Sequence, residues 1–134
     1  MSLLIIHGPN MNLLGSFSKN RMTLDKLNRN IKNFVKPENI KLKIFQTHDV
    51  NKYITLIQRN RNRVDGIILN LGPLHSQSEL ISDTLSIVKL PFRCVEIGFQ
   101  HKVYAAKSTI KSEYIIMSDD ILENYKSALK ILIN

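Results

Sequence analysis

Short apolar segments alternate with segments of helical periodicity along the chain, and this order constrains the fold more than any other feature. The apolar segments predict five strands, at residues 3–8, 40–47, 64–72, 91–98 and 112–117. Residues 40–47 alternate apolar and polar side chains, whereas the other segments are apolar throughout, as in strands covered on both faces. We therefore expect one domain over residues 1–134. It should be a flavodoxin-like doubly wound sheet of about five parallel strands, with helices on both faces.

Polar residues at the starts of the helical segments predict where the helices begin. Thr23 can cap the first helix, and Asp49 can open the second. Ser78 is a possible cap of the third helix, and the last helix is expected to begin after Ser118 or Asp119. The sequence predicts no helix between the fourth and fifth strands.

The composition excludes several classes of protein. The chain has 134 residues, of which 43% are hydrophobic, so it can bury one core. Cys94 is its only cysteine, so no disulfide can form within the chain, and a reducing, cytoplasmic location with a buried thiol is expected. No apolar stretch approaches the ~20 residues of a membrane span, so no membrane association is expected. The first residues lack the basic start of a signal peptide.

The charge balance is basic, with a formal net charge of +8. Such a balance can indicate nucleic-acid binding or anionic ligands. The basic residues are scattered, however, and the one dense run is "RNRNR" at residues 59–63. A cluster of this kind is usually the solvated last turn of a helix, so the pattern does not favour a nucleic-acid partner.

Polar side chains gather where the predicted strands end, and ligands bind at that edge of a parallel sheet. The residues expected there are Asn10, Asn12, Gln46, His48, Asn70, His75, Ser76, Glu96 and His101. Each of them could instead be a turn former or a helix cap.

Two buried polar residues are predicted to need partners. Glu96 ends an apolar strand, where a carboxylate must be hydrogen-bonded or paired with a charge. His7 lies within the first strand and is predicted to be a hydrogen-bonded core histidine. The sequence has no glycine-rich phosphate loop, no Cys/His metal spacing and no nucleophile elbow. We therefore expect neither a cofactor nor a metal.

Four segments resemble the type II 3-dehydroquinate dehydratases: "LLIIHGPNMNLLG", "IFQTH", "DGIILNLGPLHSQSELISDTL" and "PFRCVEIGFQH". The resemblance covers nearly the whole chain and implies a flavodoxin-like fold. It also implies a homo-oligomer, a trimer or a dodecamer built from trimers. The reaction it implies is the removal of water from 3-dehydroquinate to give 3-dehydroshikimate, through an enolate and without a cofactor.

The resemblance implies roles for five residues. Asn10 matches the asparagine that holds the water stabilising the enolate. Asn70 and Gly72 match residues of the substrate site after the third strand. Glu96 matches the glutamate of a Glu–His pair that protonates the leaving hydroxyl, and Asp83 matches an aspartate that reaches a neighbouring subunit.

The chain departs from the family pattern in its lid and its histidines. The lid "GSFSKNRMTL" lacks the family's basic tyrosine, and its only ionisable side chains are Lys19 and Arg21. An ungapped match places Ser76 where the family has its substrate-binding histidine, with His75 one position earlier.

Two further family positions are also changed. Gly98 stands where the proton-donating histidine belongs, and Ala105 stands where a late arginine belongs. His101 and Tyr104 are possible substitutes for the missing groups.

Three hypotheses of function follow. The first is a protein like type II 3-dehydroquinate dehydratase, a hydro-lyase, whose incomplete acid–base set leaves it weak or inactive. The second is a non-catalytic paralogue that serves as a structural subunit or binds a small polar or anionic molecule. The third, less favoured, is a basic protein associated with nucleic acid.

Overall fold

A computed structural model describes the backbone of residues 1–134 and the side chains of all of them except residues 99 and 100. Its centre is one sheet of five parallel strands in the order β2-β1-β3-β4-β5. The strands are β1 (Ser2–His7), β2 (Lys41–Gln46), β3 (Gly66–Leu69), β4 (Phe92–Ile97) and β5 (Ile115–Ser118). The predicted flavodoxin-like fold is therefore confirmed.

Five α-helices surround the sheet. They are α1 (Leu24–Val35), α2 (Val50–Asn60), α3 (Ser78–Val88), α4 (Gly98–Ala105) and α5 (Ile121–Ile133). Short 3-10 helices occupy Met11–Ser16, Lys19–Arg21, Lys36–Glu38, Gly72–Gln77 and Ser112–Tyr114.

The two faces of the sheet carry separate apolar cores. Leu3 and Ile5 of β1 pack in the core that includes α1 and α5. Leu4 and Ile6 pack in the core that includes α2 and α3. Because successive strand side chains point to opposite faces, a central strand buried on both sides must be apolar throughout. Register is consequently strict in β1, since a shift of one residue would exchange the two faces.

Two predicted helix starts are confirmed and two are wrong. The Thr23 hydroxyl accepts a hydrogen bond from Lys26 N at 3.2 Å, and the Asp49 carboxylate accepts one from Asn51 N at 2.9 Å. Ser78 is not the cap but the first residue of α3, because its hydroxyl instead accepts from Thr109 N at 2.9 Å.

The cap of α5 is Asp120, not Ser118 or Asp119. Its carboxylate accepts from Glu123 N at 3.1 Å. Ser118 still belongs to β5, and its hydroxyl donates to the side chain of Asn124 at 2.6 Å. The strand thus ends one residue later than the apolar pattern indicated.

Helix α4 was absent from the sequence prediction. It has eight residues, begins with a glycine and lacks a side-chain cap, so no local signal favoured a helix. It packs against β4, β5 and the 3-10 helix at Gly72–Gln77. Tertiary contacts therefore stabilise α4, and they bring His101 to the edge of the sheet.

No helix is long and apolar enough to cross a membrane in the part of the chain that the structure describes.

Candidate functional site

The candidate site is built on Glu96, the next-to-last residue of β4, whose side chain is fully buried. Six groups lie within hydrogen-bonding distance of its carboxylate. On Oε1 they are Asn70 Nδ2 at 3.1 Å, Gly72 N at 3.0 Å and His101 Nδ1 at 3.0 Å. On Oε2 they are Leu71 N at 3.0 Å, His75 Nε2 at 2.8 Å and Cys94 Sγ at 3.1 Å.

These contacts keep Glu96 ionised. Burial alone would raise its pKa, but hydrogen bonds from His101 and His75, the charge of His75 and the Leu71 N–H lower the pKa to about 2. Hydrogen bonds to the charged form of a carboxylate favour ionisation. Glu96 is therefore a permanent anion at neutral pH and orients its partners without itself supplying a proton.

The turn after β3 supplies the two backbone donors. β3 ends at Leu69, and Gly72 adopts a φ of 50°, in the left-handed region that favours glycine. This turn points the N–H groups of Leu71 and Gly72 at the carboxylate. The left-handed backbone therefore favours glycine here, and the His101 ring lies 3.4 Å from where a Cβ would stand, which is ordinary contact distance.

Asn70 ties three strand ends together. Its Nδ2 donates to Val95 O at 2.9 Å as well as to Glu96, and its Oδ1 accepts from Gly8 N at 3.1 Å. The residue is fully buried. Both amide hydrogens are therefore committed to the protein, and a ligand could reach only the second lone pair of Oδ1.

His101 contacts Glu96 from α4. Because Glu96 is an anion, Nδ1 carries a proton and donates to it at 3.0 Å. The N–H of Ile97, 3.4 Å from the same nitrogen, then makes only a long contact. Among the described residues no hydrogen bond reaches Nε2 of His101, whose side chain is 7% exposed.

His75 lies on the other side of the carboxylate and is 1% exposed. Its Nε2 donates to Glu96, and its Nδ1 lies 2.7 Å from the hydroxyl of Ser108. Both ring nitrogens have partners within the protein. His75 therefore does not reach the open edge of the sheet, where the sequence analysis placed it among the polar residues.

Asn10 is exposed in the loop after β1 and adopts the left-handed conformation, with φ at 66°. Its backbone N–H donates to His48 Nδ1 at 3.2 Å. Its side-chain amide makes no hydrogen bond to any residue whose side chain is described. Asn10 is thus free to hydrogen-bond a ligand or a water.

The segment that resembles the family lid, residues 15–24, borders the ends of β4 and β5. Lys19 forms an exposed ion pair with Asp119 at 3.4 Å. Arg21 is exposed, with φ at 52°, a strained value for a residue with a long side chain. A cleft of about 560 Å³ opens between the lid and the ends of β4 and β5, lined by Phe17, Ser18, Lys19, Asn20, Met22, Ile97, Asp119, Asp120 and Ile121. Its size suits a small molecule.

Three other predicted site residues lie elsewhere. Ser76 is exposed, and its hydroxyl donates to Pro73 O at 3.0 Å. Asp83 is exposed on α3 and lines a groove between α2 and α3. The Tyr104 ring is 39% exposed, with its centroid 6.0 Å from that of His101.

Two glycines at the edge have no room for a side chain. A Cβ on Gly8 would collide with the carbonyl oxygen of Asn70. A Cβ on Gly98 would lie 3.1 Å from the backbone of Ser118. A side chain at position 98 would therefore require a small shift of the β5 backbone.

Cys94 completes the buried cluster, as the sequence analysis predicted for its thiol. Burial and the charge of Glu96 raise the pKa of this thiol. The ligand atoms of His75, Cys94 and Glu96 lie within 4.8 Å of one another. However, Glu96 also faces two backbone N–H groups, which suit an anion and repel a cation. The donor set fits a hydrogen-bonded cluster better than a metal ion.

Sequence reasoning missed the contribution of Ser108 and the backbone of Leu71. Ser108 stands in a polar loop with no distinguishing pattern, and a backbone N–H carries no sequence signal. His101 follows Glu96 by five residues in the sequence. Their pairing could be predicted only once α4, which carries His101, was known.

Known proteins match the chain over its length. The profile of the family described as Dehydroquinase class II matches residues 1–133. A 3-dehydroquinate dehydratase from Halothermothrix orenii is 32% identical over 136 residues, covering 97% of this chain and 92% of that protein. One from Thermotoga neapolitana is 34% identical over 104 residues, covering 75% and 70%. The crystal structure of a type II dehydroquinase from Butyrivibrio crossotus superposes with a TM-score of 0.79 at 26% identity, covering 100% of this chain and 98% of the other.

Proposed function

Because this chain belongs to the class II dehydroquinase family, we propose that it is a 3-dehydroquinate dehydratase-like protein with a rebuilt proton donor and a deficient base. The observation that carries this proposal is the contact of His101 with Glu96, beside a residue 98 that has no side chain. A Glu–His pair thus exists, although its histidine comes from α4.

Loss of water from a hydroxyketone needs two proton transfers. A base takes the proton from the carbon next to the ketone, and the resulting enolate expels a hydroxyl group that receives a proton and leaves as water. In its protonated form, His101 holds Nδ1–H on Glu96 and presents Nε2–H to the leaving hydroxyl. Glu96 stays anionic and positions the ring, because its low pKa prevents it from giving the proton itself.

The base side of the reaction is poorly equipped. The Lys19 ammonium faces Asp119 in an ion pair, and the Arg21 guanidinium is always protonated and so cannot accept a carbon-bound proton. Tyr104 is the remaining candidate, since its ring lies near His101. A positioned base contributes ~10²–10⁴-fold to a rate. We therefore propose turnover well below that of a family member with a tyrosine in its lid.

The ligand is a small polar or anionic molecule. Asn10 offers a free amide, His101 offers Nε2, and the adjacent cleft has the volume for such a ligand. Asn70 and Gly72 shape the site through the turn after β3 and do not act mainly by direct binding. The commitment of Asn70 to the protein and the lack of a lid base favour a second candidate, a non-catalytic paralogue that binds such a molecule.

We also propose that the protein forms a homo-oligomer, a trimer or a dodecamer. Ile87, 70% exposed on α3, and Leu80 line the groove that contains Asp83. Exposed apolar side chains grouped in this way suit contact with another copy. A cytoplasmic location is supported by the single reduced cysteine.

The experiment is a continuous assay of the enone product formed from 3-dehydroquinate. We expect the wild-type protein to turn over slowly and His101→Gln to lower kcat at least tenfold. Tyr104→Phe tests whether Tyr104 is the base. Lys102→Gln, an exposed neighbour on α4, is the matched control and should retain wild-type turnover. Equal rates for wild type and His101→Gln would refute the role of His101. Calorimetric binding without turnover would establish the non-catalytic alternative.

A further inference from the structure

A second set of contacts extends from the far oxygen of Glu96 to the surface. Glu96 Oε2 accepts from His75 Nε2 at 2.8 Å, and His75 Nδ1 lies 2.7 Å from Ser108 Oγ. A hydroxyl, an imidazole and a carboxylate in this order form the arrangement that activates a serine nucleophile. We propose that Ser108 is an activated nucleophile that takes up small acyl or phosphonyl groups from activated esters.

In the neutral form of His75, its partners determine which ring nitrogen carries the proton. Glu96 is an anion, so Nε2 carries the proton and donates to Oε2. Nδ1 then holds a lone pair and accepts the hydroxyl hydrogen of Ser108. This tautomer is the one that a general base needs, since the lone pair already faces the proton to be removed.

Burial along the three residues increases inward. Glu96 and His75 are buried, whereas Ser108 is half-buried in the loop that follows α4. Ser108 is therefore the most exposed of the three residues. The backbone N–H of Ile110 donates to Ser108 Oγ at 3.1 Å and so fixes the position of the hydroxyl.

The covalent step is an ordinary acyl transfer. Ser108 Oγ attacks the carbonyl carbon of the ester, and its proton passes to His75 Nδ1. The tetrahedral intermediate collapses, the bond to the leaving alcohol breaks, and the imidazolium returns the proton to that alcohol. An acyl-serine remains, and water attacking by the same route would release a carboxylic acid and restore the hydroxyl. A fluorophosphonate would stop at the first stage with loss of fluoride.

This site is distinct from the one proposed for dehydration. His101 uses Oε1 of Glu96, and His75 uses Oε2. The acylation test therefore depends on neither 3-dehydroquinate nor the lid, and either proposal can fail while the other stands.

The test exposes the folded full-length chain to diisopropyl fluorophosphate and to p-nitrophenyl acetate, with intact-mass and peptide mass spectrometry. We expect one phosphoryl or acetyl group per chain on Ser108, no labelling of urea-unfolded protein, and loss of labelling in Ser108→Ala. Ser112→Ala, at an exposed serine in the following segment, is the control that should label normally. No adduct, an adduct on lysine alone, or labelling that survives Ser108→Ala would overturn the proposal.

A second variant, Ser108→Cys, tests the proposal even if Ser108→Ala fails to fold. Ser108→Cys should react with iodoacetamide at least tenfold faster than Ser112→Cys, because His75 would draw the proton from the new thiol. The native Cys94 is buried and does not compete for the reagent. Equal rates for the two introduced thiols, in variants with wild-type circular dichroism, would refute activation by His75.

Discussion

Protonation of His7 should destabilise the fold in mild acid. The imidazole is fully buried, with Nδ1 2.7 Å from the Tyr125 hydroxyl and Nε2 2.8 Å from Asn28 Oδ1. This confirms the hydrogen-bonded core histidine predicted from the sequence. Burial lowers the pKa of His7 to about 4, and the hydrogen bond with Asn28 only partly opposes this effect.

The sign and size of the effect follow from linkage. Above pH 6.5 the ring is neutral in both the folded and the unfolded chain, and the full stability is present. Between pH 6.5 and about 4 only the unfolded chain binds the proton. The free energy of unfolding therefore falls by ~1.4 kcal/mol for each unit by which the pH is lowered. The total loss attributable to His7 is about 3 kcal/mol, and below pH 4 its contribution no longer changes.

The assay is urea unfolding, followed by far-ultraviolet circular dichroism at fixed protein concentration from pH 8 to pH 4.5. We expect the stability gap between wild type and His7→Gln to shrink by ~2–3 kcal/mol over this range, because the variant lacks the titrating ring. His48→Gln, at an exposed histidine, is the control and should retain the acid-induced loss. A gap that stays constant or widens in acid would refute a neutral buried His7.

Three further predictions concern other parts of the molecule. Glu96→Gln should lower the free energy of unfolding by about 3 kcal/mol in urea titrations, because the new amide group faces N–H donors. The control Glu79→Gln, exposed on α3, should lower it by less than ~0.5 kcal/mol. Equal losses for the two variants would contradict the stabilising role of the contacts around Glu96. Gly98→His should lower stability by ~1–3 kcal/mol without restoring turnover, since its Cβ meets the Ser118 backbone; faster 3-dehydroquinate turnover would show that the loop rearranges. Ile87→Asp should reduce the particle mass measured by light scattering, whereas a wild-type monomer would end the oligomer proposal.

Local patterns in the sequence were sufficient for the sheet and for two helix starts. The strand segments are apolar on one or both faces because the sheet is buried between layers of helices. This pattern can be recognised in the sequence without knowing which helices pack on each strand. Thr23 and Asp49 satisfy helix N–H groups two or three residues away, so their capping role was also local.

The roles of the site residues depended on contacts between distant segments. His75 and Ser108 are 33 residues apart, and His75 and Glu96 are 21 apart. No short pattern encodes such a pair, and a polar residue at a strand end has the same sequence signature whether it faces solvent or the protein. Tertiary structure decided that Asn70 and His75 face inward and that His101 pairs with Glu96.

The physical reason is the cost of burying Glu96. An ionised carboxylate inside the protein must be surrounded by donors, so it orders the turn after β3, the thiol on its own strand and two histidines around itself. The sequence alone indicated that Glu96 needed partners. Only the turn after β3, the 3-10 helix that follows it and the packing of α4 against the sheet determined which residues those partners are.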